Sequence, residues 1–96
     1  MISATSGDIR VTVKEASVNY SLTVHSGKMA IYSFVVDRTE WKKVRDFPTN
    51  YMKYDLLQTC INEQVGVAAS DDEEWFALRA RQVDVCIRAL DKTFQT

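Results

Sequence analysis

The first third of the chain alternates between apolar and polar residues with a period of two. Apolar side chains stand at every second position in two runs, Ile9–Val13 and Tyr20–Val24. This alternation is typical of antiparallel strands that bury one face. Ser26-Gly27 supplies the backbone freedom for a tight turn into a third run, Met29–Val36. The pattern predicts a three-stranded antiparallel meander over about residues 8–36, with Asn19, Ser21, Thr23 and His25 on the polar face.

The third run is apolar on both faces. Met29, Ile31 and Val35 point one way, whereas Tyr32 and Phe34 lie among the residues that point the other way. In a simple meander this strand lies at the edge of the sheet, where an open apolar strand pairs with other chains. We therefore expect helices, the N-terminal residues or a second chain to cover it.

A short helix is predicted directly after the third strand. Asp37 begins it, and Glu40 follows three positions later as in a capping box. Pro48 ends it, because proline disfavours helical geometry in the residue before it. The predicted helix covers about residues 38–47. Its apolar face carries Trp41, Val44 and Phe47.

Two further helices complete the predicted fold. The second covers about residues 50–65, and Gly66 suits its C-terminal cap. Ser70 opens another capping box, and a long helix then covers about residues 71–94. The acidic run Asp71–Glu74 occupies the first turn of that helix, where the helix dipole favours anions. Whether the run also contacts a partner stays open.

The last helix carries two apolar stripes. The larger one repeats at helical spacing and is assigned to the core: Phe76, Ala80, Val83, Ile87, Leu90 and Phe94. The smaller one lies nearly opposite: Leu78, Val85 and Ala89, with Trp75 and Cys86 at its margins. Trp75 and Arg79 are spaced for a cation–π contact. Two stripes place this helix either in the centre of the fold or in an interface, and the sequence leaves both open.

Charge and cysteines exclude several classes of protein. The 96 residues carry a net charge of −1, whereas a nucleic-acid-binding domain is usually clearly basic. Cys60 and Cys86 are expected to be reduced and buried, although a disulfide between them stays open. The closely spaced cysteine and histidine residues that bind zinc are missing, so neither a metal nor a cofactor is predicted. The N-terminus lacks the features of a secretory signal and no apolar run is long enough for a membrane span, so a cytoplasmic protein is expected.

Catalytic chemistry has little support in the sequence. A serine or cysteine nucleophile needs a base, and the single histidine, His25, stands at a strand end beside Ser26-Gly27. The three glycines are dispersed, so no phosphate-binding glycine loop exists. We therefore predict that the protein is not an enzyme.

The sequence thus predicts one α+β domain over residues 1–96 that binds another protein. Surplus apolar surface on the third strand or the last helix marks the interface. The binding residues are predicted to be Trp75, Leu78, Val85 and Ala89, and the partner is either a different protein or a second copy. By analogy of size and architecture alone, the expectation is an inhibitor or adaptor of the kind that phages and mobile elements encode. The alternative is nucleic-acid binding through a basic stripe on the first helix: Arg38, Lys42 and Arg45.

Overall fold

The computed structural model describes residues 2–66 and 73–93. Within them a four-stranded antiparallel sheet precedes three helices, so the predicted α+β class is confirmed. The elements are β1 (Ile2–Ser6), β2 (Ile9–Glu15), β3 (Asn19–Ser26), β4 (Met29–Asp37), α1 (Arg38–Arg45), α2 (Tyr51–Val65) and α3 (Glu73–Lys92). The predicted cap at Ser70, the acidic residues Asp71 and Asp72, and Phe94 lie outside the described residues.

The predicted number of strands was wrong, because β1 adds a fourth strand before the predicted meander. Ile2–Ser6 pairs with β2, and Ser6 lies opposite Ile9 across a two-residue turn. Gly7 enters this turn with a φ of 61°, as Gly27 does in the turn between β3 and β4. Only Ile2 and Ala4 are apolar in β1, and the rest is serine and threonine. So short a run with small side chains gives a weak periodic signal.

All three helices pack on one face of the sheet. α3 crosses β1 and β2, and α2 lies over β4. Along β3, Tyr20, Leu22 and Val24 are buried in the core, whereas the intervening Thr23 and His25 are only half-buried on the opposite face. The strand pairing places four hydroxyl side chains in one row across that opposite face: Ser3, Thr12, Thr23 and Ser33.

The first helix begins as predicted and ends earlier than predicted. Asp37 Oδ1 accepts hydrogen bonds from the backbone N–H groups of Thr39 and Glu40, at 2.8 and 3.1 Å. Trp41 and Val44 are buried. The helix ends at Arg45, before its predicted limit, so Phe47 leaves the helical register and lies exposed. The placement of Phe47 on the buried face was therefore wrong.

The last helix is central in the fold from Arg79 onward. Val83, Ile87 and Leu90 of the larger stripe are buried, as predicted. Val85 and Ala89 of the smaller stripe are buried too, because this part of α3 lies between the sheet and α2. The expectation that these two residues form an exposed face was therefore wrong. Phe76, which was assigned to the core, is half-exposed near the start of the helix.

Candidate functional site

The most open part of the sheet is its β4 edge. β4 pairs with β3 on one side. In the described part of the chain, no backbone–backbone hydrogen bond joins Met29–Val36 to any element other than β3. A nine-residue strand with an unpaired edge is a template for a further strand.

Apolar side chains line this edge and are exposed. Met29 keeps 70% of its surface accessible and Val35 keeps 56%, and Ile31 is exposed as well. Phe34 and Val36, which alternate with Val35, are buried under the helices. The sequence correctly placed Val35 on the face opposite Phe34. Its placement of Met29 on the Val35 face was wrong, because the register beyond Tyr32 pairs Met29 with Ser26, on the face of Val24. In the structure the helices cover only one of those faces.

A β-bulge divides β4 into two parts. Tyr32 lies opposite Val24, and Ala30 lies opposite His25, so Ile31 between them has no partner on β3. The pairing is regular from Tyr32 to Asp37. Bulges twist an edge away from incoming strands, so the regular part beyond the bulge is the more accessible template.

The opposite edge of the sheet is better protected. β1 is five residues long. Lys92 near the end of α3 donates from Nζ to the backbone oxygen of Ser3 at 2.8 Å. Short edge strands and lysine side chains are two common ways of blocking further strand pairing. The two edges therefore differ, and β4 is the one left available.

A buried arginine fixes β4 to the helices behind it. Arg79 is only 6% exposed, and its Nη1 donates to Asn62 Oδ1 at 3.0 Å. Its guanidinium carbon lies 4.5 Å from the Trp75 ring centroid, which confirms the predicted contact, and 5.8 Å from that of Tyr32. Tyr32 itself donates from its hydroxyl to Gln82 Oε1 at 2.6 Å. The regular part of β4 is thus held rigidly from one side.

The predicted binding residues of α3 do not form one surface. Val85 and Ala89 lie in the core. Trp75 is half-buried against Arg79, and Leu78 is exposed on the first half of the helix. Leu78 is therefore the member of the set that a partner could contact most freely.

The basic side chains of the alternative site do come together. One cavity of about 570 Å³ is lined by Ser17, Tyr20, Arg38, Thr39, Lys42 and Arg45. Arg38 is fixed in place, because its Nη1 donates to the backbone oxygen of Ala16 at 2.7 Å. Its guanidinium also covers the Tyr20 ring at 5.1 Å. The helical spacing in the sequence predicted the basic stripe, but not its closure by the turn between β2 and β3.

The two cysteines are free thiols, so the alternative of a disulfide between them is not realised. Burial raises the pKa of Cys86 to about 12. The pKa of Cys60 is raised by partial burial and, to a lesser extent, by Glu63. Raised pKa values make both thiols poor nucleophiles at neutral pH.

Two kinds of feature are absent from residues 2–66 and 73–93. No helix there combines the length and apolar character that crossing a membrane requires. The same residues bring no group of three histidine, cysteine or acidic side chains together as a metal site would. His25 is half-buried, with Nε2 at 3.4 Å from Thr12 Oγ1.

Comparison with known proteins returns no match to a family model, a curated protein or a solved structure.

Proposed function

We propose that this protein is a non-catalytic, cytoplasmic protein-binding module that acts as a stoichiometric inhibitor or adaptor. It takes up an extended segment of its partner as a fifth strand beside β4. The single observation that carries this proposal is the open β4 edge with its exposed apolar side chains. Strand addition of this kind is a recurrent mode of peptide recognition.

The contrast between the two edges supports the choice of β4. β1 is short and Lys92 binds its backbone, whereas β4 is long and lacks such a bond among the described residues. An exposed apolar edge is an aggregation hazard for a lone domain. A partner strand removes the hazard by satisfying the backbone groups and covering Val35.

The exposed side chains of β4 also favour a particular chemistry in the partner segment. Backbone hydrogen bonds supply affinity along Tyr32–Asp37, beyond the bulge. Specificity comes from alternate side chains of the added strand, because every second one lies on the same face as Val35. We expect apolar residues at those positions of the partner, since Val35 and Ile31 are apolar and exposed.

The test uses one substitution at the edge and the same substitution elsewhere. Val35→Lys places a charge on the free edge of β4. Val18→Lys is the matched control, because Val18 is also exposed, at 66%, but lies in the turn between β2 and β3. Both sites are exposed, so we expect each change to alter the free energy of unfolding by about 0.5 kcal/mol or less.

Binding is then compared among the wild type and the two variants. Each of the three forms is immobilised and incubated with lysate of the source cells. Separately, the mass of each form in solution is measured by light scattering. We expect a retained protein, or a dimer of this chain, that is lost in Val35→Lys and kept in Val18→Lys. Equal retention by both variants overturns the proposal. A monomer that retains nothing in any form overturns it too.

Nucleic-acid binding is the weaker alternative. The cavity that gathers Arg38, Lys42 and Arg45 favours an anionic ligand. However, Trp41 is fully buried and Tyr20 is buried beneath Arg38, so neither ring offers a free face on which a base could stack. The basic cavity therefore supports recognition of a phosphate group better than recognition of nucleic acid.

A further inference from the structure

The basic cavity lies apart from the free edge of β4 and has its own chemistry. Its lining, given above, combines three cationic side chains with the hydroxyl groups of Ser17 and Thr39 and contains no carboxylate. Its volume of about 570 Å³ is in the range of small-ligand sites. Cations and hydroxyl donors around one space match the acceptor oxygens of a phosphate group.

The guanidinium of Arg38 is held in place by the fold. Arg38 N–H donates to the backbone oxygen of Val18 at 3.0 Å, and its Nη1 donates to that of Ala16. A guanidinium has five N–H donors, so most of those of Arg38 remain for a ligand. Lys42 follows one turn later on the same face of α1, about 6 Å further along the helix axis. A preorganised guanidinium binds with a smaller loss of conformational entropy.

The carboxylates of Asp37, Glu40 and Asp46 lie near the cavity but outside its lining. Asp37 caps the helix and Glu40 pairs with Lys43 at 3.2 Å. Asp46 lies 3.6 Å from Arg45 and is largely exposed. The lining itself contributes three cations and no carboxylate, so the cavity favours an anion such as a phosphate dianion.

We propose that this cavity binds a dianionic phosphate group, either inorganic phosphate or the terminal phosphate of a phosphomonoester. The helix amides are not the ligands, because Asp37 already accepts hydrogen bonds from Thr39 and Glu40. Recognition comes from the side chains of Arg38, Lys42 and Arg45. This site is independent of strand addition at β4.

The experiment is a titration of the full chain followed by the backbone amide signals in NMR spectra at low ionic strength, where electrostatic contacts are least screened. Inorganic phosphate, glycerol phosphate and short single-stranded DNA are added in separate series. We expect saturable shifts at Ser17, Thr39 and Lys42 with phosphate or glycerol phosphate. Tighter binding of glycerol phosphate identifies a phosphomonoester as the ligand, and equal or weaker binding identifies free phosphate.

Lys42→Gln and Lys43→Gln form a matched pair. Both remove one positive charge from α1, but Lys43 pairs with Glu40 and is outside the cavity lining. We expect Lys42→Gln to weaken phosphate binding by about fivefold or more and Lys43→Gln by about twofold or less. Arg38 is not replaced, because it also ties α1 to the turn between β2 and β3.

Three results overturn the proposal. The first is the lack of saturable shifts at the cavity with either phosphate ligand. The second is an equal loss of affinity in the two lysine variants, which indicates a general effect of charge. The third is binding of single-stranded DNA that phosphate does not compete for, which supports a nucleic-acid surface instead.

Discussion

Tyr32 on β4 and Gln82 on α3 are joined by a hydrogen bond of 2.6 Å between the tyrosine hydroxyl and the glutamine Oε1. Fifty positions separate them in the sequence. Arg79, one turn before Gln82, lies near the Tyr32 ring and stacks on Trp75. This polar cluster fastens the inner side of β4 to the central helix, while the outer edge of the strand stays open. Support behind an open edge lowers the conformational entropy that is lost when a strand is added.

Removing the Tyr32 hydroxyl is expected to destabilise the fold. Tyr32→Phe leaves the acceptor of Gln82 without this donor, and Gln82 is buried. The free energy of unfolding should fall by about 1–2 kcal/mol. Replacing both groups, as in Tyr32→Phe with Gln82→Leu, should cost less than the sum of the two single changes. Urea unfolding of the four proteins measures this, and simple additivity would show that the bond contributes nothing.

The two members of the smaller stripe on α3 should respond differently to a charge. Val85 is 1% exposed, so Val85→Glu buries a carboxylate and should destabilise the protein by about 4 kcal/mol or more. Leu78 is 43% exposed, and Leu78→Glu should cost about 1 kcal/mol or less. Circular dichroism and thermal unfolding distinguish the variants. A well-folded Val85→Glu protein would contradict the central placement of α3.

The free energy of unfolding should fall at alkaline pH. Burial raises the pKa of Cys86 from 9.0 to about 12, so above pH 9 the unfolded chain releases a proton that the folded chain retains. The part of the free energy of unfolding that comes from the protonated Cys86 thiol is fully present below pH 9. It is lost as the pH rises towards 12. Burial also raises the pKa of Tyr32 and acts in the same direction.

Cys86→Ala isolates the part of this alkaline loss of stability that the Cys86 thiol causes. Urea unfolding at about pH 8 and about pH 10.5 should show a smaller loss of stability in the variant than in the wild type. The variant is less stable at both values because it leaves a small cavity, so the difference between the two pH values is the quantity to compare. An unchanged difference would contradict the burial of Cys86.

Where hydrophobic periodicity was strong, the sequence predicted the elements well. The alternation around Val11 led to β2 and that around Leu22 led to β3, and Asp37 correctly marked the start of α1. β1 was missed because it is defined by its pairing with β2, and its own residues carry only a weak apolar alternation. The end of α1 at Arg45 was missed because Pro48 only bounds a helix and does not fix its last residue.

The candidate surfaces were only partly predictable. Apolar residues on both faces of β4 were visible in the sequence, but which face the helices cover depends on tertiary packing. The two stripes on α3 had two explanations, and the burial of Val85 and Ala89 decides for the central helix. Helical spacing grouped Arg38 with Lys42, whereas the contribution of Ser17 to the same cavity depends on how the turn between β2 and β3 folds back on α1.

The central claim is that a partner strand pairs with β4, and amide hydrogen exchange tests it most directly. In the protein alone, every second amide between Tyr32 and Val36 points away from β3 and should exchange quickly. When the retained partner or a second copy is bound, we expect those same amides to be protected from exchange in the wild type. In Val35→Lys we expect them to exchange as quickly as in the protein alone. Unchanged exchange in β4, with new protection at the start of α3 around Leu78, would contradict the claim.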